Sequence, residues 1–291
     1  MAQIINGRKI ANEFCDQIKE RVREVRTRGI FPTIALINVG DDPASRIYVG
    51  KKEKLAESVG IASTTYRLEC KASEEEVSDL ILELNKNEHV HAILLQSPLP
   101  KHLEFQKLVN LISPDKDVDG LTTLNQGKLF SGNPWVIPCT PLGILHLLRY
   151  IHENLAGMHA VVLGRSLIVG RPLAQLLLNS NCTVTMLHSY SRDLPTICRT
   201  ADILISAVGR QSFIGGNCVK PGATVIDVGV NRVAESAKIV GDVIFDDVYA
   251  IAGAISPVPN GVGPMTVAYL MNNTLMLSSR SFLSCSSRSV G

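Results

Sequence analysis

Residues Ala160-Val161-Val162-Leu163-Gly164-Arg165-Ser166-Leu167-Ile168-Val169-Gly170-Arg171-Pro172 decide the fold. The four apolar residues at 160–163 read as a buried parallel strand, Gly164 and Gly170 bracket a tight turn, and Pro172 suits the first turn of a helix. A strand that stops at glycine and feeds a helix N-terminus makes an anion site, because unpaired N–H groups and the positive end of the helix dipole point the same way. Dinucleotide pyrophosphates are held in this manner. The turn departs from G-x-G-x-x-G, and glycine turns without ligands are common in α/β proteins, so context must decide. Strand-like runs at 183–188, 202–209 and 223–230 supply it, with the spacing of a βαβ succession. The expectation is an α/β protein whose C-terminal domain is a Rossmann-type, doubly wound parallel sheet.

An NAD site usually places an acid roughly 20 residues past the glycine turn to bind the ribose hydroxyls. Here the second strand ends Met186-Leu187-His188-Ser189, with no acid before Asp193. Arg165, Ser189 and Arg192 instead offer two cations and a hydroxyl, which suits a ribose carrying an extra phosphate and points to NADP. The competing reading is that Arg165 and Arg192 are solvated surface charges.

At 291 residues the chain is long enough for two domains, and its net charge of +2 suggests neither a nucleic-acid nor an anionic-membrane partner. No run approaches the roughly 18 apolar residues of a membrane span, and the N-terminus shows no signal-peptide or transit-peptide pattern. Seven scattered cysteines without a C-x-x-C pair read as reduced thiols of a cytoplasmic protein.

Towards the N-terminus, 8–28 reads as an amphipathic helix on Ile10, Phe14, Ile18, Val22 and Val25, and 33–39 as a strand. Asp42 and Pro43 start a helix over 43–59, which sets Tyr48 and Lys52 on one face. Ser73 and Glu76 have capping-box spacing before a helix with Val77, Leu80, Ile81 and Leu84 as its stripe. The strand at 90–95 ends in Gln96-Ser97-Pro98-Leu99-Pro100, which puts Gln96 at a strand's carboxyl end, where open α/β sheets bind ligands. The loop Ser113 to Gly120 resembles the start of a calcium loop, but position twelve is Gln126 and Pro114 interrupts the incoming helix, so no metal is expected. A Pro- and Gly-rich loop over 255–266 precedes a helix over 265–278 and a Ser/Arg-rich tail at 279–291.

Six motifs together carry a resemblance to one family. They are Tyr48-Val49-Gly50-Lys51-Lys52, Gln96 to Pro100, Asp115 to Gly120, Pro138-Cys139-Thr140-Pro141, Gly164-Arg165-Ser166 through Pro172, and Pro257 through Thr266. In this order they resemble the bifunctional methylenetetrahydrofolate dehydrogenase/cyclohydrolases of one-carbon metabolism, over about residues 5–278. The resemblance implies two α/β domains flanking a cleft. The first is a folate-binding catalytic domain, 1–140, completed by the helix at 265–278, and the second is an NADP-binding domain, 141–264. It also implies a homodimer, and two reactions: hydride transfer from the methylene carbon of the folate to NADP, then attack of water on the methenyl bridge to give formyl-tetrahydrofolate. With no ligase domain among these residues, the longer trifunctional arrangement is not expected.

By the same resemblance the catalytic residues fall on Lys52, Tyr48, Gln96 and Asp119, with Asp119 also binding the pterin beside Tyr48, Pro257 and Gly261. The cofactor contacts fall on Gly164, Arg165, Ser166, Ser189 and the backbone of Val230. The chemistry agrees. An amine becomes a base once it loses its proton, which a dry site with other cations favours, as Lys51 or Lys54 would be if either faced inward. Gln96 can hold that amine, Tyr48 can stack on the folate, and an ionised Asp119 matches the N–H groups of a pterin.

Taken singly, these residues have plainer readings. A Tyr and Lys one turn apart are usually surface residues, Gln96 is a loop amide, and Cys139 is a small buried residue. Asn260 departs from the family's usual glycine, and Asn tolerates the left-handed backbone a turn there would need. Two further functions stay open from sequence: a dehydrogenase of the same plan acting on another small substrate, and a non-catalytic nucleotide-binding regulatory subunit.

Overall fold

The computed structural model describes residues 1–233 and 238–288, with the side chains of 43, 44 and 281–288 not described. In chain order the elements are β1 (Gln3–Ile4), α1 (Gly7–Thr27), β2 (Thr33–Val39), α2 (Pro43–Val59), β3 (Ala62–Leu68), α3 (Glu74–Lys86), β4 (Ala92–Leu95), α4 (Phe105–Val109), α5 (Thr123–Phe130) and α6 (Cys139–Ile151). There follow β5 (His159–Leu163), α7 (Gly170–Asn179), β6 (Thr183–Leu187), α8 (Leu194–Cys198), β7 (Ile203–Ser206), β8 (Thr224–Asp227), β9 (Asn231–Arg232), β10 (Ile239–Val240), α9 (Phe245–Tyr249), β11 (Ala254–Ile255) and α10 (Val262–Arg288). They form two compact units, Met1–Asn12 with Pro138–Thr266, and Glu13–Ile137 with the C-terminal stretch from Val267.

One unit is built on the parallel sheet β3-β2-β4. Its central strand β2 is buried over Ile34 to Val39 and reads as an unbroken apolar run apart from Asn38, as a strand covered on both faces must. Helix α2 starts where Asp42 accepts the N–H of Ser45 at 2.7 Å and stops at Gly60 in left-handed backbone, φ +84°. Helix α3 opens on the expected capping box, with Ser73 and Glu76 each accepting the other's backbone N–H. Val77, Ile81 and Leu84 of α3 pack with Ile37, Ile93 and Leu95 into one core, while Leu80 is only partly buried.

The other unit carries a six-stranded sheet in the order β1-β11-β8-β7-β5-β6, with every pairing parallel. Strand β5 lies between β6 and β7, so the chain winds one way and then the other from it, and the topological switch of the sheet falls at its carboxyl end. Val161, Leu163, Leu204, Val225 and Ile255 form the core of this sheet.

Two boundaries differ from expectation. Residues 1–12 were expected with the first domain, yet β1 pairs with β11 and joins the six-stranded sheet, a contact between segments about 250 residues apart that no local pattern announces. The last helix was expected over 265–278 with a tail after it, and α10 runs through Arg288, with residues 289–291 outside the described residues. Extending a formed helix is far cheaper than nucleating one. Arg280 donates to Trp135 O at 2.8 Å and lies 4.2 Å over the Trp135 ring, which docks a residue that composition alone marks as solvated.

Candidate functional site

In the three-stranded unit, α2 buries Ser45, Val49, Ala56 and Val59, a stripe of three- and four-residue steps. Lys52 falls on this stripe, where an apolar residue would be the ordinary choice, and it is partly buried. Its Nζ donates to Gln96 Oε1 at 2.7 Å. Gln96 is buried at the carboxyl end of β4, its own N–H pairing with Ile37 O at 2.8 Å and its Nε2 donating to Ser97 O. The Gln96 amide is thus fixed in orientation, its oxygen towards the amine. Tyr48, one turn before Lys52, is partly buried. Lys51 and Lys54 are both exposed, and Lys51 Nζ stands 5.5 Å from the Tyr48 ring centroid. Neither of these lysines faces inward beside Lys52.

Asp119 lies in a loop that runs beside β4, where Ile93 N–H donates to Lys116 O at 2.7 Å. Asp117, rather than Asp119, is the buried acid of this loop. Its carboxylate accepts Leu121 N–H at 3.1 Å, Thr122 N–H at 2.8 Å and Asn125 Nδ2 at 2.9 Å. Burial pushes the Asp117 carboxyl up from its ordinary range, against the pull of those hydrogen bonds. From the other side, Asn273 of α10 donates Nδ2 to Val118 O at 3.0 Å. Asp119 is therefore a partly exposed carboxylate on a backbone pinned immediately before and after it. Asp117 and Asn273 do this pinning, and the sequence reading assigned no task to either.

In the six-stranded unit, the turn after β5 is as tight as its glycines suggest. Gly164 has φ +111°, and a Cβ on it would stand 2.3 Å from Ala207 O; one on Gly170 would stand 2.0 Å from Gly164 O. Only glycine fits either place. Ser166 Oγ accepts the N–H groups of Val169 and Gly170 at 3.2 and 3.3 Å, covering two donors at the start of α7. Arg165 and Ser166 are exposed, as are Ser189 and Arg192 past the end of the neighbouring strand β6. The Arg165 guanidinium lies 5.8 Å from the Tyr190 ring centroid, so the turn and the Ser189–Tyr190 segment meet. Asp193, the first acid after β6, is exposed. A phosphate-bearing ribose fits this set of donors better than one with free hydroxyls.

Val230 is half-exposed just beyond β8. Pro257 and Gly261 occur in the same unit, in the loop after β11, where a Cβ on Gly261 would meet Pro257 O at 2.4 Å. Asn260 has φ +78°, the left-handed backbone the sequence reading allowed it, and its Oδ1 accepts Arg8 Nε at 2.7 Å. The structure thus gathers Lys52 with Gln96, Arg165 with the segment after β6, and Pro257 with Gly261. Sequence reasoning also missed two buried acids of this unit, Asp227 and Asp242, whose signal was an acid closing the apolar run Val225-Ile226 and another set between Gly241 and Val243.

Comparison with known proteins points one way. The chain matches the catalytic domain of tetrahydrofolate dehydrogenase/cyclohydrolase over residues 5–119 and its NAD(P)-binding domain over 138–282. It is 49% identical over 278 residues to the "Bifunctional protein FolD" of Wolbachia sp. subsp. Drosophila simulans (strain wRi), covering 95% of each chain. Among solved structures it is similar to the bifunctional FolD methylenetetrahydrofolate dehydrogenase/cyclohydrolase of Campylobacter jejuni, at 40% identity and TM-score 0.94, over 96% of this chain and 99% of that one. It is also similar to the Trypanosoma brucei methylenetetrahydrofolate dehydrogenase-cyclohydrolase solved with NADP cofactor and an inhibitor, at 38% identity and TM-score 0.92, over 97% and 98%.

Proposed function

The chain belongs to the tetrahydrofolate dehydrogenase/cyclohydrolase family, and from that premise we propose how its own residues divide the work of two reactions. It is a bifunctional enzyme of folate one-carbon chemistry, oxidising 5,10-methylenetetrahydrofolate with NADP to the methenyl form and hydrolysing that to 10-formyltetrahydrofolate. The readings as a dehydrogenase of another substrate or as a regulatory subunit give way to this one.

NADP, when bound, supplies the hydride acceptor. The residues that would hold it are Gly164, whose lack of a side chain lets the turn close against Ala207, Arg165 and Ser189 at the ribose phosphate, Ser166 at the helix start, and Val230 at the nicotinamide. Hydride transfer needs no protein acid or base; it needs two carbons held in near contact, which is positioning work.

Ring opening does need a base. Lys52, as the neutral amine, takes a proton from the water that attacks the methenyl carbon, and the C=N electron pair returns to nitrogen to give a carbinolamine. Its hydroxyl then loses a proton to solvent as the formyl C=O forms and the C–N5 bond breaks, N5 keeping the electron pair and taking a proton from the Lys52 ammonium. The observation that carries this assignment is the 2.7 Å contact between Lys52 Nζ and Gln96 Oε1, which aims a partly buried amine with a buried amide. In its own unit Tyr48 offers the folate a ring to stack on and Asp119 accepts from the pterin N–H groups; in the other, Pro257 and Gly261 are the proposed substrate-binding residues. Incubation with methylenetetrahydrofolate and NADP, following NADPH and formyl-tetrahydrofolate together, tests the division, because loss of Lys52 should stop the second product and spare cofactor binding.

The working form proposed is a cytoplasmic homodimer. Among the described residues no helix is long and apolar enough to cross a membrane, and Cys15, Cys70, Cys182, Cys198 and Cys218 are unbridged thiols, which supports a reducing compartment. Among the described residues β6 ends the six-stranded sheet, which would leave one ladder side for a partner. Light scattering of the purified chain tests this, a monomer mass counting against it.

A further inference from the structure

Asp242 is wholly buried, and its two oxygens collect five donors. Oδ2 accepts Ser206 Oγ at 3.1 Å, Val208 N–H at 2.9 Å and Gly209 N–H at 3.2 Å. Oδ1 accepts Arg210 N–H at 2.9 Å and Asn231 Nδ2 at 3.0 Å. A second buried acid holds the first, since Asp227 Oδ1 accepts the N–H groups of Asp242 and Gly229, both at 2.9 Å, and Oδ2 accepts that of Val243 at 2.9 Å. The fit is close enough that a Cβ on Gly229 would stand 2.1 Å from Asp242 Oδ1, and one on Gly241 1.8 Å from Asp227 Oδ2.

The five donors on Asp242 belong to the end of β7 and to the segments that leave β7 and β8 at their carboxyl ends, the end where open parallel sheets bind ligands. The first segment begins at Ala207, whose carbonyl presses on Gly164 of the phosphate turn. The second carries Val230 between two anchored residues, Gly229 held by Asp227 and Asn231 held by Asp242. A solvent-facing loop has no need of a buried carboxylate with five donors; a loop that must keep one shape against a ligand does.

We propose that Asp242 is a positioning residue for the nicotinamide end of NADP, acting through the backbone at 208–210 and at Val230, and that Asp227 seats it. This rests on the placement of Val230 at the nicotinamide proposed above. The adenosine end would be gripped elsewhere, by Arg165 and Ser189, so the two ends of the cofactor report separately.

The test is Asp242→Asn, which keeps the size but turns an amide towards N–H donors. NADP affinity and dehydrogenase kcat should fall by about tenfold to a hundredfold, while affinity for adenosine 2′,5′-bisphosphate, which lacks the nicotinamide, should stay within about twofold. Unchanged kcat, or equal losses for NADP and the bisphosphate, overturns the role. Should that variant not fold, Asn231→Ala and Ser206→Ala each remove one donor, and the same split at several-fold size is expected; no split in either overturns the proposal. Val230→Trp examines the premise by itself. If it weakens NADP while Asp242→Asn does not, the nicotinamide placement stands and the positioning role falls; if it changes nothing, the placement falls and takes the proposal with it.

Discussion

The amine of Lys52, four residues and one turn after Tyr48 in α2, is joined at 2.7 Å to the side-chain oxygen of Gln96, 44 positions later at the end of β4. A helix and a strand end together fix one nitrogen. A flexible four-carbon side chain held in this way has lost the freedom that would make it a poor positioned base.

Replacing Lys52 with Met keeps an unbranched side chain on the buried stripe and removes the nitrogen. Cyclohydrolase activity should fall by roughly 10²–10⁴, the usual worth of a positioned base, while NADP binding persists. Full hydrolysis of the methenyl substrate by Lys52→Met would remove this residue from the mechanism. Gln96→Leu, which leaves the amine without its amide partner, should give an intermediate loss.

Ser189→Asp should weaken NADP by roughly tenfold and leave NAD little changed, because a new carboxylate would face the ribose phosphate in a water-screened setting. Titration with both cofactors reads this directly. Equal affinity of variant and wild type for NADP would mean that the phosphate lies away from Ser189.

Gly170→Ala places a methyl group where Gly164 O already stands, 2.0 Å from the ideal Cβ position. Backbone must move, so the variant should lose about 2–3 kcal/mol of stability and most of its NADP affinity. Denaturant unfolding with and without NADP would measure both, and a variant as stable as the wild type would show that the turn yields.

How far such sites could be read from sequence depended on whether their determinants were local. Helix α2 was legible at both ends because Asp42, Pro43 and Gly60 signal within a few residues of the boundary they make. The glycine turn was legible for the same reason. Strand β1 is two residues long and exists only through β11, and Asp242 gains its meaning from Ser206, 36 positions earlier, so neither leaves a periodic trace. Lys52 was half legible: a lysine in the run Ser45, Val49, Lys52, Ala56, Val59 marks a cation on a buried stripe, but its partner appears only once β4 is placed beside β2.

Asp227 gives a prediction whose sign can be worked out. Burial, assisted by the neighbouring Asp242 charge and opposed by the N–H groups of Asp242, Val243 and Gly229, raises its carboxyl from 3.8 to about 6. Between those values the folded protein keeps a proton that the unfolded chain has released, so this group's contribution to stability falls as pH rises through the window. A rise of about two units corresponds to about 3 kcal/mol, absent below pH 4 and complete above pH 7. Asp227→Asn carries no such proton. The unfolding free energy of wild type minus that of the variant should therefore decline from pH 4 to pH 7 and then level off, as urea unfolding across that range would show. A difference that does not vary with pH would place the Asp227 proton equilibrium in the folded protein where it is in the unfolded chain, and Asp227 would then hold its three N–H donors as an anion across that range.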